Sequence, residues 1–309
     1  MGALDGKVAL VTGGGRGIGG ATAYALAAEG ASVVVNDLGG DWHGEGRDER
    51  AASQVAEQIT SNGGTAVADH GDVGDSDAAS AMVARAVESF GRLDVVVNTA
   101  GILRDKMVFS MSDDEWDAVM RVHLRGHFCV TRAACAHWRK VAKESGEPTG
   151  GRVICFASEA GLYGNAGQTN YAAAKGGIAS FSIAVAREMF RYGVTCNTIA
   201  PRARTRMTEG TFGDFLPKGE GFDSWDPANV TPTVIFLASE IGARYSGQIL
   251  VAGGGVVQVI EPYHVAAKLE IQDRMPMPEE VAAFIADVRG EEAGPPPFPD
   301  LGLAVGASR

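Results

Sequence analysis

The sequence has only four cysteines, Cys129, Cys135, Cys155 and Cys196, and no two of them make a Cys-x-x-Cys pair or a metal-ligand spacing. Neither a disulfide framework nor a metal site is expected, and the thiols read as reduced and mostly buried. No apolar run approaches the ~20 residues that a membrane-crossing helix needs, so no membrane partner is expected. Basic charge is scarce as well: 27 Lys and Arg stand against 38 Asp and Glu, a formal net charge of −11. Nucleic acid is disfavoured as a partner, because phosphate binding needs a basic surface. The first residues show no long apolar segment of the secretory kind. The final Ala307-Ser308-Arg309 does not match the peroxisomal ending. Cytoplasm is the expected compartment.

What the chain does have is room and rhythm. Its 309 residues are 45% hydrophobic, enough for a large core. Short apolar runs at 8–11, 32–36, 65–68, 95–97, 152–156, 195–199 and 248–251 read as strands. Helical patterns lie between them near 19–29, 48–61, 77–90, 113–143, 171–192 and 228–239. This alternation is that of βαβ units. The expectation is an α/β fold with one Rossmann-type, doubly wound parallel sheet of about seven strands flanked by helices, spanning residues 1–260. Ligands then bind beyond the carboxyl ends of the strands. Residues 261–309 read as a C-terminal extension, not an independent domain, with an amphipathic helix at 278–288 and a proline run at 295–297. The polar, glycine-rich stretch 38–47 reads as a long connection with Trp42 and His43 on its surface, and 208–225 as a lid.

One end of this sheet carries a dinucleotide signature. In Thr12-Gly13-Gly14-Gly15-Arg16-Gly17-Ile18-Gly19, the glycines Gly13, Gly17 and Gly19 fall between the first strand and a helix starting near Ile18. Lacking Cβ atoms, they permit a tight turn and close approach of N–H groups to a pyrophosphate at the helix start. The second strand ends at Asp37, where a ribose-binding carboxylate is expected. That carboxylate disfavours NADP: at 4 Å and an effective dielectric near 20, each pair of unit like charges costs roughly 4 kcal/mol. Arg16 points the other way, but Leu38 follows Asp37 where a second base would help, so NAD is the expected cofactor and NADP the lesser one. Asp72 and Val73 follow the third strand and are placed at adenine, with a strand-end cap as the alternative. Asn98, Ala100 and Gly101 close the fourth strand and are placed under the cofactor.

The other end carries proton chemistry. Tyr171 and Lys175 are four residues apart, which puts phenol and ammonium on one helical face. A tyrosine pKa of about 10 is too high for a base near neutrality, and bringing it down by about three means favouring phenolate by about 4 kcal/mol. Lys175, together with the positive nicotinamide of NAD⁺, is the expected source of that lowering. Ser158, after the fifth strand, is expected to donate to the substrate oxygen. His127 and His137 read as packing.

These segments together resemble the short-chain dehydrogenase/reductase family. The resemblance rests on Thr12–Gly19, Asp72, Asn98–Gly101, Ser158, Tyr171 and Lys175, and covers roughly residues 5–256. Within the family the chain is most similar to the (3R)-hydroxyacyl-CoA dehydrogenase modules of peroxisomal multifunctional enzymes, through Val35-Asn36-Asp37-Leu38-Gly39-Gly40-Asp41, Ala100-Gly101-Ile102-Leu103-Arg104-Asp105, Val122-His123-Leu124-Arg125-Gly126, Leu162-Tyr163-Gly164-Asn165 and Cys196-Asn197-Thr198-Ile199-Ala200-Pro201. The resemblance implies NAD-linked interconversion of a 3-hydroxyacyl-CoA and a 3-oxoacyl-CoA. It also implies a cofactor contact at Pro201, ribose contacts from Tyr171 and Lys175, and a homodimer or homotetramer. Reduction of a 3-oxoacyl carrier protein, hydroxysteroid oxidation, or a non-catalytic dinucleotide sensor are the alternatives. Three positions depart from the family pattern. His123 stands where most members have asparagine, and is either part of a proton relay or a core histidine. Thr99 replaces a common asparagine. Arg202 replaces a frequent glycine and, with Arg204 and Arg206, forms a basic cluster that would suit CoA phosphates, with a solvated face or pairing with nearby acids as the alternatives.

Overall fold

A computed structural model describes residues 2–205, 221–261, 263–272 and 274–290. It divides into a unit Met1–Ile260 and a segment Glu261–Arg309. The strands of the first unit are β1 (Val8–Thr12), β2 (Ser32–Asn36), β3 (Thr65–Asp69), β4 (Val95–Asn98), β5 (Arg152–Phe156), β6 (Thr195–Pro201), β7 (Ile249–Gly253) and β8 (Val256–Ile260). They form one sheet in the order β3-β2-β1-β4-β5-β6-β7-β8.

All pairings are parallel except β7 with β8. A parallel strand covered on both faces reads as a continuous apolar run. In β1 this is literal: Ala9 and Val11 enter one core while Val8 and Leu10 enter the other. The first core is closed by Leu26 of α1 (Gly17–Ala28), by Val55 and Ile59 of α2 (Arg50–Ser61), and by Val234 and Leu237 of the helix Thr231–Ala238. The second is closed by Met82 and Val83 of α3 (Ser76–Phe90), Trp138 of α5 (Gly126–Ser145) and Ile178 of α7 (Thr169–Met189). Strand order reverses between β1 and β4, which opens a crevice at their carboxyl ends.

Two expectations need correction. The sheet has an eighth strand, β8, that follows a two-glycine turn in which Gly254 and Gly255 have φ of +59° and +76°. Positive φ at both turn positions suits the twist of a hairpin, so the chain doubles back and β8 runs antiparallel. The helix expected over 113–143 is not continuous. Instead, α4 (Asp113–Met120), with its Ser112/Glu115 capping box, passes through a π-helical turn Arg121–Arg125 into α5.

The stretch 38–47 is more than a connection. Leu103 N–H donates to the Trp42 carbonyl (2.9 Å), and Arg104 Nε donates to the His43 carbonyl (3.1 Å). Trp42 and His43 are half-buried, with their rings 3.5 Å apart, so the surface placement expected for them is also corrected. Of the expected lid, residues 208–220 lie outside the described residues, as does the proline run at 295–297. Within the segment Glu261–Arg309, the expected helix is present as Pro278–Arg289, with Arg274 donating to both oxygens of Glu280. Among the described residues no helix is long and apolar enough to cross a membrane.

Candidate active site

The glycine turn leaves β1 at Thr12 and enters α1 at Gly17, with φ of +64° at Gly13 and +52° at Gly17. A Cβ on Gly13 would lie 2.8 Å from the backbone of Ala100, and one on Gly19 would meet the Gly13 carbonyl. The turn is therefore pressed against the end of β4. Thr99 Oγ1 donates to the Thr12 carbonyl, and Ala100 N–H reaches Thr12 Oγ1 at 3.4 Å. Arg16, at the N-cap of α1, gives that helix no side-chain cap. Helix-start N–H groups without a side-chain acceptor, in a turn stripped of Cβ atoms, suit a pyrophosphate.

Asp37 sits directly behind this turn. Its two oxygens accept from Gly15 N–H (2.9 Å) and Gly39 N–H (2.7 Å). Arg16 is drawn elsewhere, donating to the Gly40 carbonyl at 3.4 Å and standing 3.8 Å from Asp48. Asp72 accepts from Gly74 N–H (2.8 Å) and receives the guanidinium of Arg121 at 3.2 and 2.7 Å. These contacts are those that the strand-end cap reading calls for. Val73 is buried against Gly126. Asn98 Nδ2 donates to Thr131 Oγ1 (3.2 Å), while its buried Oδ1 has no partner.

From the glycine turn a chain of close contacts leads to the proton-transfer candidates. A Cβ on Gly101 would collide with the His123 ring, which explains a glycine there. His123 in turn packs edge-on against Tyr171, centroids 5.1 Å apart and planes at 89°. Its Nε2 lies between Ile102 N (3.0 Å) and Ile102 O (2.7 Å), and its buried Nδ1 has no partner. Burial, reinforced by the charge of Lys175, holds its pKa well below the usual histidine value.

Tyr171 lies in the first turn of α7, and its place is set by Asn170, a residue the sequence did not single out. Asn170 is fully buried, donates to the carbonyls of Arg104 (2.9 Å) and Glu115 (3.1 Å), and accepts from Tyr171 N–H (2.7 Å). Ser158 precedes the short helix α6 (Glu159–Tyr163) and accepts from Ala160 N–H at 3.2 Å. Its hydroxyl is near enough to the Tyr171 phenol to favour the charged form. Lys175, only 3% exposed, stands 5.6 Å from the Tyr171 ring centroid and donates to the Phe156 carbonyl (2.5 Å).

The protein's packing by itself acts against the lowering expected of Lys175 and the nicotinamide together. Burial pushes Tyr171 up to about 12, opposed by the Ser158 hydroxyl and assisted by the carboxylate of Asp105. Burial likewise pulls Lys175 down to about 7. Desolvation penalises phenolate and ammonium alike, and here it outweighs their attraction. Asp105 is held by Gln168 Nε2 at 2.7 Å and is itself raised by burial. His127 is buried as expected. Phe156 N–H donates to its Nε2 (3.3 Å), so its Nδ1 carries the proton given to the His123 carbonyl (2.8 Å).

In the basic cluster, two arginines meet the alternative of pairing with nearby acids. Arg202 pairs with Glu159 and Arg204 with Asp223 (2.8 Å), while Arg206 lies outside the described residues. Pro201 ends β6 opposite Ala252 of β7. Three of the cysteines are buried and Cys135 is partly so. Among the described residues no group of three His, Cys, Asp or Glu could hold a metal ion.

A family model described as short chain dehydrogenase matches residues 7–213. The chain belongs to the short-chain dehydrogenase family. This short-chain dehydrogenase is 44% identical to the hydroxyacyl-CoA dehydrogenase ChsB1 of Mycobacterium tuberculosis, over 92% of its own length and 89% of that protein. It is also 44% identical to the peroxisomal multifunctional enzyme type 2 of Mus musculus over 82% of its length, but matches only 32% of that longer enzyme. A 3-oxoacyl-[acyl-carrier-protein] reductase of Synechocystis is 39% identical over 83% of this chain and 99% of that one. In structure, a short chain dehydrogenase from Mycobacterium avium superposes with a TM-score of 0.83 at 43% identity, covering 96% of this chain and 99% of the other.

Proposed function

We propose that this oxidoreductase interconverts a 3-hydroxyacyl-CoA and a 3-oxoacyl-CoA with NAD as its cofactor. One observation carries the catalytic reading: an unbroken run of contacts joins Gly13 to Ala100, Gly101 to His123, and His123 to Tyr171. The dinucleotide cradle and the phenol therefore share one crevice. When bound, a nicotinamide dinucleotide supplies or accepts the hydride at the substrate carbon.

This chain's own residues handle the proton. In the reductive direction Tyr171 gives its phenolic proton to the forming alkoxide; in the oxidative direction it takes the proton back. Ser158 donates a hydrogen bond to the same oxygen and polarises the carbonyl. Lys175 holds the ribose side of the crevice and replenishes charge beside the phenol. His123 supports the tyrosine ring from the Ile102 backbone. A phenol pKa of about 12 keeps Tyr171 protonated near neutral pH, the form that donates to a forming alkoxide.

Support for NAD comes from Asp37, whose carboxylate is fixed beside the glycine turn by two N–H groups, while Arg16 is turned towards Asp48. Support for an acyl-CoA substrate comes from the similarity to hydroxyacyl-CoA dehydrogenase ChsB1 over nearly the whole chain. A carrier-protein thioester is the second reading, favoured by the end-to-end likeness to the Synechocystis reductase. The experiment that separates them offers 3-oxoacyl-CoA and 3-oxoacyl carrier protein, each with NADH or NADPH, and follows loss of reduced-nicotinamide absorbance. Preference for the carrier protein, or for NADPH at equal subsaturating concentration, overturns the first reading.

A further inference from the structure

Beside Ser158 lies an ion pair that neither the glycine turn nor the tyrosine needs for its own chemistry. Arg202 Nε and a terminal nitrogen donate to the two carboxylate oxygens of Glu159 at 2.9 and 2.7 Å. The side chains are only 4% and 11% exposed. A guanidinium fork on a carboxylate defines both distance and orientation, unlike a single point contact.

Each partner is anchored to a different part of the site. Arg202 follows the last residue of β6, its N–H donates to Ala252 of β7 (2.8 Å), and a Cβ on Gly253 would strike its carbonyl. Its guanidinium also reaches Gln258 Oε1 on β8 at 3.4 Å. Glu159 is the first residue of α6, immediately after Ser158. The far side of α6 rests on α7, where a Cβ on Gly161 would lie 2.6 Å from Lys175 Cβ. So α6 is held between the sheet edge and the helix that carries Tyr171 and Lys175. Ser158 Oγ, which caps Ala160 N–H, follows wherever that short helix is placed.

We propose that Glu159 and Arg202 are a positioning pair for Ser158: their ion pair fixes the start of α6 and so keeps the serine hydroxyl beside the Tyr171 phenol. This rests on the reading of Ser158 and Tyr171 given above. The Ser158 hydroxyl is what opposes the burial-driven rise of the phenol pKa. Loosening the pair therefore weakens carbonyl polarisation and lets the phenol rise further. Dinucleotide binding, held by the other half of the crevice, is left alone.

The test uses the full-length enzyme with bound dinucleotide and compares Glu159→Gln, Glu159→Asp, Ser158→Ala and the double variant Ser158→Ala/Glu159→Gln. Glu159→Gln is expected to lower kcat for ketone reduction by about 30-fold or more, on the scale of a misplaced oxyanion donor. Its dinucleotide Kd should stay within about twofold, and the alkaline limb of its pH–rate profile should move upward. Glu159→Asp, which keeps the charge, should recover part of the rate. In the Ser158→Ala background the same Glu159→Gln change should alter kcat by less than about twofold, since a residue acting through Ser158 has nothing left to act on. Additive losses, or an unchanged kcat in Glu159→Gln, overturn the proposal. Because removing one partner of a buried pair can prevent folding, Glu159→Leu/Arg202→Met restores an apolar contact of similar size. That variant should fold and still show the reduced kcat; full activity in it overturns the proposal. Wild-type kcat in Ser158→Ala would instead remove the underlying reading of the serine.

Discussion

Lys175 stands 5.6 Å from the centre of the Tyr171 ring, yet its hydrogen bond goes to the Phe156 carbonyl and not to the phenol. The two groups share a desolvated crevice in which each resists charge, the tyrosine at about 12 and the lysine at about 7. Proton donation is then the natural act of Tyr171 near neutrality, and proton abstraction the demanding one.

A pH dependence follows from these directions. Alcohol oxidation needs phenolate, which is scarce far below a pKa of about 12 and grows as pH rises towards it. Oxidation should therefore climb steadily from about pH 6 to about pH 9, with a shallower slope above about 7 where Lys175 loses its charge. Ketone reduction needs the protonated phenol and should stay flat across the same range. Profiles of kcat/KM in both directions check this; oxidation already at a plateau near pH 6 contradicts it.

Lys175 should also cost stability. Its pKa falls from 10.5 to about 7 on burial, so between those values the unfolded chain binds the extra proton and folding gains as pH rises. Replacing it by an apolar side chain of similar length removes the penalty. Lys175→Met should raise the melting midpoint at pH 7 by about 3 °C or more while abolishing most activity. A lower midpoint, measured by calorimetry, counts against the assignment.

The cofactor preference is open to a single substitution. Asp37→Asn removes the negative charge but keeps an oxygen for one of the two N–H donors of Gly15 and Gly39. A like-charge repulsion of roughly 4 kcal/mol is an upper figure for what is relieved. The NADPH-to-NADH ratio of kcat/KM should rise by about tenfold or more. An unchanged ratio would place the selectivity elsewhere.

For assembly, we propose a homodimer or homotetramer. Phe109, Trp116 of α4 and Phe128 of α5 are exposed apolar side chains that a second copy would cover. Light scattering should give a mass two or four times the 32.1 kDa of one chain, and a mass near 32.1 kDa contradicts it.

How much of this was legible in the residues depends on what each feature needs. Seven parallel strands announce themselves because burial on both faces demands continuous Val, Ala and Leu. The eighth escapes, since only Gly254-Gly255 divides it from β7 and its Val256, Val257 and Val259 stay exposed at the sheet edge. The π-helical turn Arg121–Arg125 is invisible because the apolar pattern of a helix continues through it. Tyr171 and Lys175 are readable from spacing, but desolvation is a property of the packed crevice, so the sign of the phenol shift was not. Glu159 and Arg202 become partners only because β5 lies beside β6. Separately each is an ordinary charged residue after a strand.

The most direct measurement follows the loss of NADH absorbance with a 3-oxoacyl-CoA, comparing the wild-type enzyme with Tyr171→Phe. Without its transferable proton the variant should turn over about 10³-fold more slowly, with dinucleotide affinity within about twofold of wild type. Equal turnover by the two enzymes would contradict the account.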